Sequence, residues 1–429
     1  VRSDDACADL EITTTMTNHH CLNCGATSLV EFIDLGMQPN GNNFPTLETK
    51  DREILFPIAM RVCTECWQVQ IAEFPSQEFL FTNHPYITGV NVPVVQHFER
   101  LAGHIVKKLN LQPNSLVVDI GCNDGTFLRM FSAQGMRVLG VDPGRRTGEL
   151  ARAQGRTVCR TFWNHETGKA FRQLGLFPDL ITATAVFYHL PDLHDFIRGL
   201  KEVLTPESVF VVQCVNLQDL IEKNQFDHFY HEHSCIHAIT PLKRLFAAHG
   251  MRLLDVEFSD IHGGSFILYA GLDANPRPTA PSVAGAIEAE AAAGLHALET
   301  YQRFSARVRQ NADDLIRLLK QLKADGKRVF ALGAPVKGNT LLNYCGVTPD
   351  LIECATEVNQ FKIGRLTPGT HIPIVDEAAV AQDPDYYLIL SWNFLDYLVG
   401  KYKNFLLNGG GFIVPVPTVR ILTFESARP

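Results

Sequence analysis

The run Ser115-Leu-Val-Val-Asp-Ile-Gly-Cys-Asn-Asp-Gly125 constrains this chain more than any other stretch. A largely apolar strand leads into a glycine-spaced turn, and Thr126-Phe-Leu-Arg-Met-Phe131 then opens a helix. A strand feeding a helix in this way belongs in a mainly parallel sheet covered on both faces. The glycines let the backbone approach a ligand, and the helix N-terminus favours a carboxylate or phosphate. The spacing is Gly121-x-x-x-Gly125, not the dinucleotide G-x-G-x-x-G, with Asp119 at the strand end. The next strand, Val138-Leu-Gly-Val-Asp142, ends in an acid placed to accept ribose hydroxyl protons. Asp119, Gly121, Asn123, Gly125 and Asp142 therefore predict a nucleoside-type cofactor, for which S-adenosylmethionine is the usual reading. The alternative is a structural turn with a chance acid.

The same rhythm continues. Ser115–Ile120, Val138–Val141, Leu180–Ala185 and Val209–Val215 are predicted buried parallel strands, with amphipathic helices such as Thr126–Gly135 and Leu193–Leu204 between them. This is a doubly wound α/β domain over 91–274. Thr161-Phe162-Trp163-Asn164 lies where a third strand would end, so Phe162 either stacks on an adenine or packs in the core. Thr182–His189 would present its last residues, His189 among them, at the cofactor edge. Asn275–Pro281 marks a linker, and 285–325 is a helix or helix pair. Strands at Arg328–Gly333, Leu351–Ala355, Tyr386–Leu390 and Gly411–Val414 then predict a second α/β domain, which completes 275–429.

Residues 19–90, with short alternating stretches at Val30–Asp34 and Val69–Phe74, form a small cysteine-anchored module. Cys21-Leu-Asn-Cys24 and Cys63-Thr-Glu-Cys66 are two C-x-x-C knuckles, the donor set of a tetrahedral Zn2+. Four thiolates leave no open coordination position, so such a zinc is structural. Redox dithiols, or His19 or His20 replacing one cysteine, are the other readings. Residues 1–18 are a polar extension, expected to be disordered and lacking the pattern of a signal peptide. Eleven scattered cysteines suit a reducing, cytoplasmic setting. A net charge of −8 leaves no basic surplus for nucleic acid, and no apolar segment approaches the ~20 residues of a membrane span.

Gln225-Phe-Asp-His-Phe-Tyr-His-Glu-His-Ser234 packs three histidines, two acids and a tyrosine beyond the Val209–Val215 strand, near the carboxyl ends where ligands bind. A histidine oriented by a carboxylate is a suitable general base near neutral pH. A metal held by His231 and His233, or a plain polar loop, would read the same way. Ile261-His-Gly-Gly-Ser265 sets two glycines beside His262, which could polarise a carbonyl or merely form a turn.

Together these motifs resemble the sugar C-methyltransferase family of deoxysugar and antibiotic biosynthesis. The matches include Cys21-x-x-Cys24, Gly36-Met-Gln-Pro39, Cys63-x-x-Cys66-Trp-Gln-Val-Gln70, Asp119–Gly125, Tyr230-His-Glu-His233 and Ile261–Ser265. They continue through Gly333-Ala-Pro-Val-Lys-Gly-Asn-Thr340, Pro368–Ile374 and Ser391-Trp-Asn-Phe394. The resemblance implies an α/β protein with a small N-terminal zinc-binding domain, a central Rossmann-like class I methyltransferase domain and a C-terminal Rossmann-like domain. It implies a monomer or weak homodimer acting on a nucleotide-linked 4-ketosugar, with TDP as the expected nucleotide. The family's catalytic histidine falls on His233, with Glu232 and Tyr230 beside it, and its N-terminal-domain tyrosine falls on Tyr86. The usual aspartate of the last domain's second strand has no counterpart in Cys354-Ala-Thr-Glu357.

On this reading His233 removes the proton from C3, beside the ketone, while Glu232 holds its imidazole. Tyr86, Tyr230 or His262 stabilises the enolate oxygen. Lys337 is expected at the diphosphate, unless it is an ordinary loop lysine, with Thr340 and Asn393 also at the sugar nucleotide.

Overall fold

A computed structural model describes residues 16–380, 382 and 384–426. Its central sheet has seven strands: Leu116–Ile120, Arg137–Val141, Val158–Cys159, Leu180–Thr184, Val209–Val215, Met251–Ser259 and Ser265–Leu272. Numbered in that order, they lie 3-2-1-4-5-7-6, and only the seventh runs against the rest. Every residue of Leu116–Ile120 and Val209–Val215 is buried, because helices cover both faces. Val92–Leu109, capped by Asn91, and Leu193–Val203, capped by Asp192, are among those helices.

The C-terminal sheet holds Val329–Leu332, Ala355–Glu357, Ile374–Asp376, Tyr386–Ile389, Gly411–Val414 and Arg420–Leu422 in the order 3-2-1-4-5-6. Its last strand is antiparallel. Strand order reverses between Leu116–Ile120 and Leu180–Thr184 in one sheet, and between Val329–Leu332 and Tyr386–Ile389 in the other. Such switch points open crevices at the carboxyl ends of the strands. Here the two crevices share one cavity, lined by Asp119 and Gly121 from one sheet and Gly333, Glu357 and Ser391 from the other.

The N-terminal module is built on Leu29–Pro39, Leu55–Cys63 and Val69–Ile71. Its fourth strand, Cys235–Ile236, is donated by the central domain directly after the histidine cluster. Helix Leu298–Ala324 also links the units. Ser305 donates to the Phe32 carbonyl, Arg307 to that of Ile221 at 2.6 Å, and Asn311 to that of Pro415 at 2.7 Å.

Several expectations need correcting. The chain is ordered into a strand by Met16–Thr17, which pairs with Glu73–Phe74, and Asn18 donates to the Ile71 carbonyl, so 16–18 do not belong to the disordered extension. The rest of that extension lies outside the described residues. The predicted strand Leu351–Ala355 is instead Ala355–Glu357, because Leu351 and Ile352 are held in a turn by the Thr348 carbonyl. Among the described residues, no helix is long and apolar enough to cross a membrane.

Candidate active site and zinc centre

The four knuckle cysteines converge, with all their sulfurs within 4.8 Å of one another. Cys21–Cys66 and Cys24–Cys63 sulfurs are 3.5 and 3.6 Å apart. Thiolates at Zn–S distances of about 2.3 Å in a tetrahedron lie about 3.8 Å from each other, so the donor set fits zinc. His19 and His20 are exposed and outside the cluster. Among the described residues this is the one group of His, Cys, Asp and Glu arranged to hold a metal, which leaves the His231–His233 chelate without support.

The cavity between the sheets has a volume of about 510 Å³, within the range of ligand sites. At its cofactor end Gly121 has φ +73°, and a Cβ there would lie 2.2 Å from Val186 Cγ2. Asp119 is buried, accepts the Thr182 hydroxyl at 2.6 Å, and is pushed up to about 7 by burial. Asp142 accepts the Asn123 N–H at 2.9 Å on one oxygen, and the Gly144 N–H and Thr147 hydroxyl on the other. Phe162 and His189 also face the cavity.

The predicted cofactor residues Asn123 and Gly125 differ in place, and Asn123 lines the cavity. The Asn123 side chain accepts from the N–H and hydroxyl of Thr88 and donates to the Tyr86 carbonyl. It thereby holds the segment arriving from the zinc module over the glycine turn. Gly125 lies off the cavity. It caps the helix in a left-handed conformation, where a Cβ would press on Ala151 and Arg156 at 3.2 Å.

His233 is 1% exposed, with its ring centroid 3.9 Å from that of Tyr230 and 4.3 Å from that of Tyr188. Nδ1 lies 2.7 Å from the His228 carbonyl, which can only accept, so Nδ1 carries the proton and Nε2 the lone pair. That Nε2 is buried without a hydrogen-bond partner among the described residues, and His233 forms part of the cavity wall. Burial, reinforced by the charges of neighbouring groups, depresses the imidazole to about 3. His228 is held in turn, donating from Nε2 to the His262 carbonyl at 3.1 Å.

The structure corrects the role expected of Glu232. Its carboxylate accepts from Asn42 at 2.6 Å and pairs with His84 at 3.1 Å, both from the N-terminal module, so a backbone carbonyl and not Glu232 orients His233. His84 accepts the Tyr86 N–H on Nδ1, which leaves Nε2–H to face the carboxylate. The histidine cluster is not a surface loop: His228, His231 and His233 are all buried.

On the C-terminal side Lys337 sits in the first turn of helix Val336–Tyr344, buried on the cavity wall, with Nζ 3.9 Å from the Trp392 ring centroid. Asn393 also lines the cavity, and its Oδ1 has no hydrogen-bond partner among the described residues. Thr340 does not reach the cavity. It faces the packed side of the same helix at 2% exposure. Tyr86, Tyr230 and His262 all line the wall.

Sequence reasoning gave no role to His84, Asn42, Asp227 or Trp392. Asp227 and Trp392 did fall inside the Gln225–Ser234 and Ser391–Phe394 motifs, but each finds its partner in the other, across domains.

The glycine turn, the strand order and the zinc cluster define a methyltransferase that carries a structural zinc module. The profile described as C-methyltransferase C-terminal domain matches residues 260–417, methyltransferase domain 95–256, and zinc binding domain 21–81. C-methyltransferase NovU of Streptomyces niveus is 33% identical over 408 residues, 95% of this chain and 97% of that protein. An Azorhizobium caulinodans ubiquinone biosynthesis O-methyltransferase is 26% identical over 29% of this chain and 47% of its own length. Magnesium protoporphyrin IX methyltransferase of Synechocystis PCC 6803, solved with bound S-adenosylmethionine, matches at 17% identity and TM-score 0.33. That match covers 43% of this chain and 81% of that one. The chain belongs to the C-methyltransferase family; its cofactors are S-adenosylmethionine, the methyl donor, and structural zinc.

Proposed function

We propose that this enzyme methylates the carbon beside the ketone, C3, of a nucleotide-linked 4-keto deoxysugar. The observation that carries the reading is His233 on the wall of a cavity shared by two Rossmann-like sheets, its buried Nε2 without a hydrogen-bond partner among the described residues. Methylation at oxygen or nitrogen starts from a lone pair already present. Methylation at carbon needs a base to create one.

S-adenosylmethionine, when bound, supplies a methyl group on a sulfonium sulfur. Gly121 leaves room for it beside Val186, and Asp119, Asp142 and Phe162 line its end of the cavity. At the opposite end, Lys362, Lys401 and Asn393 face the crevice of the C-terminal sheet, where the nucleotide would lie. The sugar then falls between, against His233, Tyr230 and Tyr86. His233 Nε2 takes the proton from C3, and the His228 carbonyl keeps the ring in the tautomer that can accept it. Tyr188 and Tyr230 hold the ring and exclude water. The expected nucleotide, by resemblance, is TDP.

The test offers a panel of nucleotide 4-ketosugars with isotopically labelled methyl donor and reads product mass. One or more TDP-linked ketosugars should gain a methyl. Uniform failure, with methylation of non-ketone sugars instead, would overturn the reading.

A further inference from the structure

The enolate that His233 would create needs a partner for its oxygen, and the groups first expected to serve are poor donors. Burial pushes the hydroxyl of Tyr230 well above the ordinary phenol range, and desolvation with the nearby Asp124 charge pushes that of Tyr86, a residue 39% exposed overall, to about 12. Neutral His262 is held down to about 3 by burial and the nearby Lys337 charge. Lys337 differs from all of them. The residue is 9% exposed and lines the cavity, and its ammonium nitrogen is buried with no hydrogen-bond partner among the described residues.

Two neighbours keep that charge in place. The Trp392 ring lies under Nζ at 3.9 Å, and the Trp392 indole N–H donates at 2.6 Å to Asp227, a fully buried carboxylate whose charge also acts on the lysine. The other Asp227 oxygen is unpartnered among the described residues, and burial raises this carboxyl against the opposing pull of the Lys337 charge and the Trp392 hydrogen bond. Burial still lowers Lys337 to about 8, which leaves it charged at neutral pH and the most acidic donor among these groups. The same Trp392 ring lies 6.1 Å from the His228 ring, which sets Lys337 at the histidine end of the cavity, and its charge is felt by His228, His233 and His262. Lys362 and Lys401 offer cations to a diphosphate elsewhere on the wall, although each also pairs with an acid, Glu357 and Glu377.

We infer that Lys337 is a catalytic residue whose ammonium donates a hydrogen bond to the substrate ketone oxygen and stabilises the enolate, and that it is not a diphosphate ligand. The inference rests on the ketosugar reading above. In the step, the C3–H bond breaks and its proton goes to His233 Nε2. The C–H electron pair becomes the C3–C4 double bond, and the carbonyl π pair moves onto oxygen, facing Lys337. The enolate carbon then takes the methyl, the S–CH3 pair stays with sulfur, and the ketone reforms as the oxygen returns its pair.

The experiment uses the full-length, zinc-loaded protein in D2O, with S-adenosylhomocysteine replacing the methyl donor so that only proton exchange at C3 is read. The substrate is the ketosugar that the wild type methylates. Lys337→Met should slow exchange at saturating sugar by about 10²–10³-fold, the usual loss on removing one oxyanion donor. Lys337→Arg should retain a measurable part of the rate. Calorimetric affinity for the nucleotide sugar should change by less than about 3-fold in both. If Lys337→Met lowers that affinity tenfold or more while exchange at saturation stays at the wild-type rate, the lysine is a diphosphate ligand and the inference is wrong. Lys337→Gln is read the same way should the methionine variant melt early. A wild type that methylates a ketosugar without any exchange removes the enolate step, and the lysine's role with it. A wild type that methylates no ketosugar at all refutes the functional reading instead.

Discussion

Gly121→Ala tests the cofactor turn at a position where the cost can be worked from geometry. Gly121 has φ +73°, a conformation that costs an L-residue about 1–2 kcal/mol. The added Cβ would lie 2.2 Å from Val186 Cγ2, more than 1 Å inside an ordinary carbon–carbon contact of about 3.5–4.0 Å. Overpacking of this kind costs about 1–3 kcal/mol, so the total is about 2–5 kcal/mol. The protein can meet that cost as strain, which lowers the melting temperature. It can also move the turn or push Val186 into the cavity, which lowers cofactor affinity. Calorimetry with S-adenosylhomocysteine, together with thermal melts of the apo protein, reads both routes. Adding Val186→Ala should recover the packing part and leave only the backbone part. Wild-type melting and affinity in Gly121→Ala, or no recovery in the double variant, would refute the geometry.

The other predictions follow from the buried polar groups and the metal cluster. His231, His233 and His237 are depressed to about 4, 3 and 4 by burial, so below pH 6.5 the unfolded chain binds protons that the native state does not. Stability therefore falls as pH drops from 6.5 toward 4, by up to about 2 kcal/mol per histidine at pH 5, and a melting temperature flat from pH 7 to 5 would contradict this. His84→Ala leaves the Glu232 carboxylate, 3% exposed, with Asn42 as its remaining side-chain partner, and should destabilise by about 3 kcal/mol in chemical melts. Glu232→Gln in the same background should return part of that loss, and no return would show that the charge is not the cause. Cys63→Ser, or removal of zinc by a chelator, should loosen the sheet that Cys235–Ile236 completes and displace His233 two residues away. Turnover should then fall far more than S-adenosylhomocysteine affinity, and equal losses would place zinc elsewhere in the account.

Much of this was legible in local pattern. Val209–Val215 and Gly411–Val414 match their predicted bounds, because short apolar runs bounded by turns state both their length and their burial. The two C-x-x-C pairs announced a tetrahedral site because each knuckle is a local unit. What local pattern cannot carry is pairing across domains. Nothing near Cys235–Ile236 indicates that it joins a sheet begun two hundred residues earlier. The partner of Glu232 was misassigned for the same reason: His233 is adjacent in sequence, whereas His84 and Asn42 arrive from the N-terminal module. Lys337 is expected at the diphosphate because a glycine-flanked turn suggests phosphate, and the proposal that it serves the ketone oxygen instead draws on its place over the Trp392 ring, a contact between distant segments that no local pattern carries. Met251–Ser259 escaped notice because its burial alternates irregularly across a bulge between Leu253 and Asp255.

The most direct test of the central claim is where the methyl group lands. A carbon-13-labelled methyl donor and the accepted ketosugar are incubated with the enzyme, and the product is analysed by carbon and proton correlation spectroscopy. The account predicts a labelled methyl bonded to the ring carbon beside the ketone, with the hydrogen of that carbon lost or exchanged with solvent. A labelled methyl on oxygen or nitrogen, with that hydrogen intact, would contradict it.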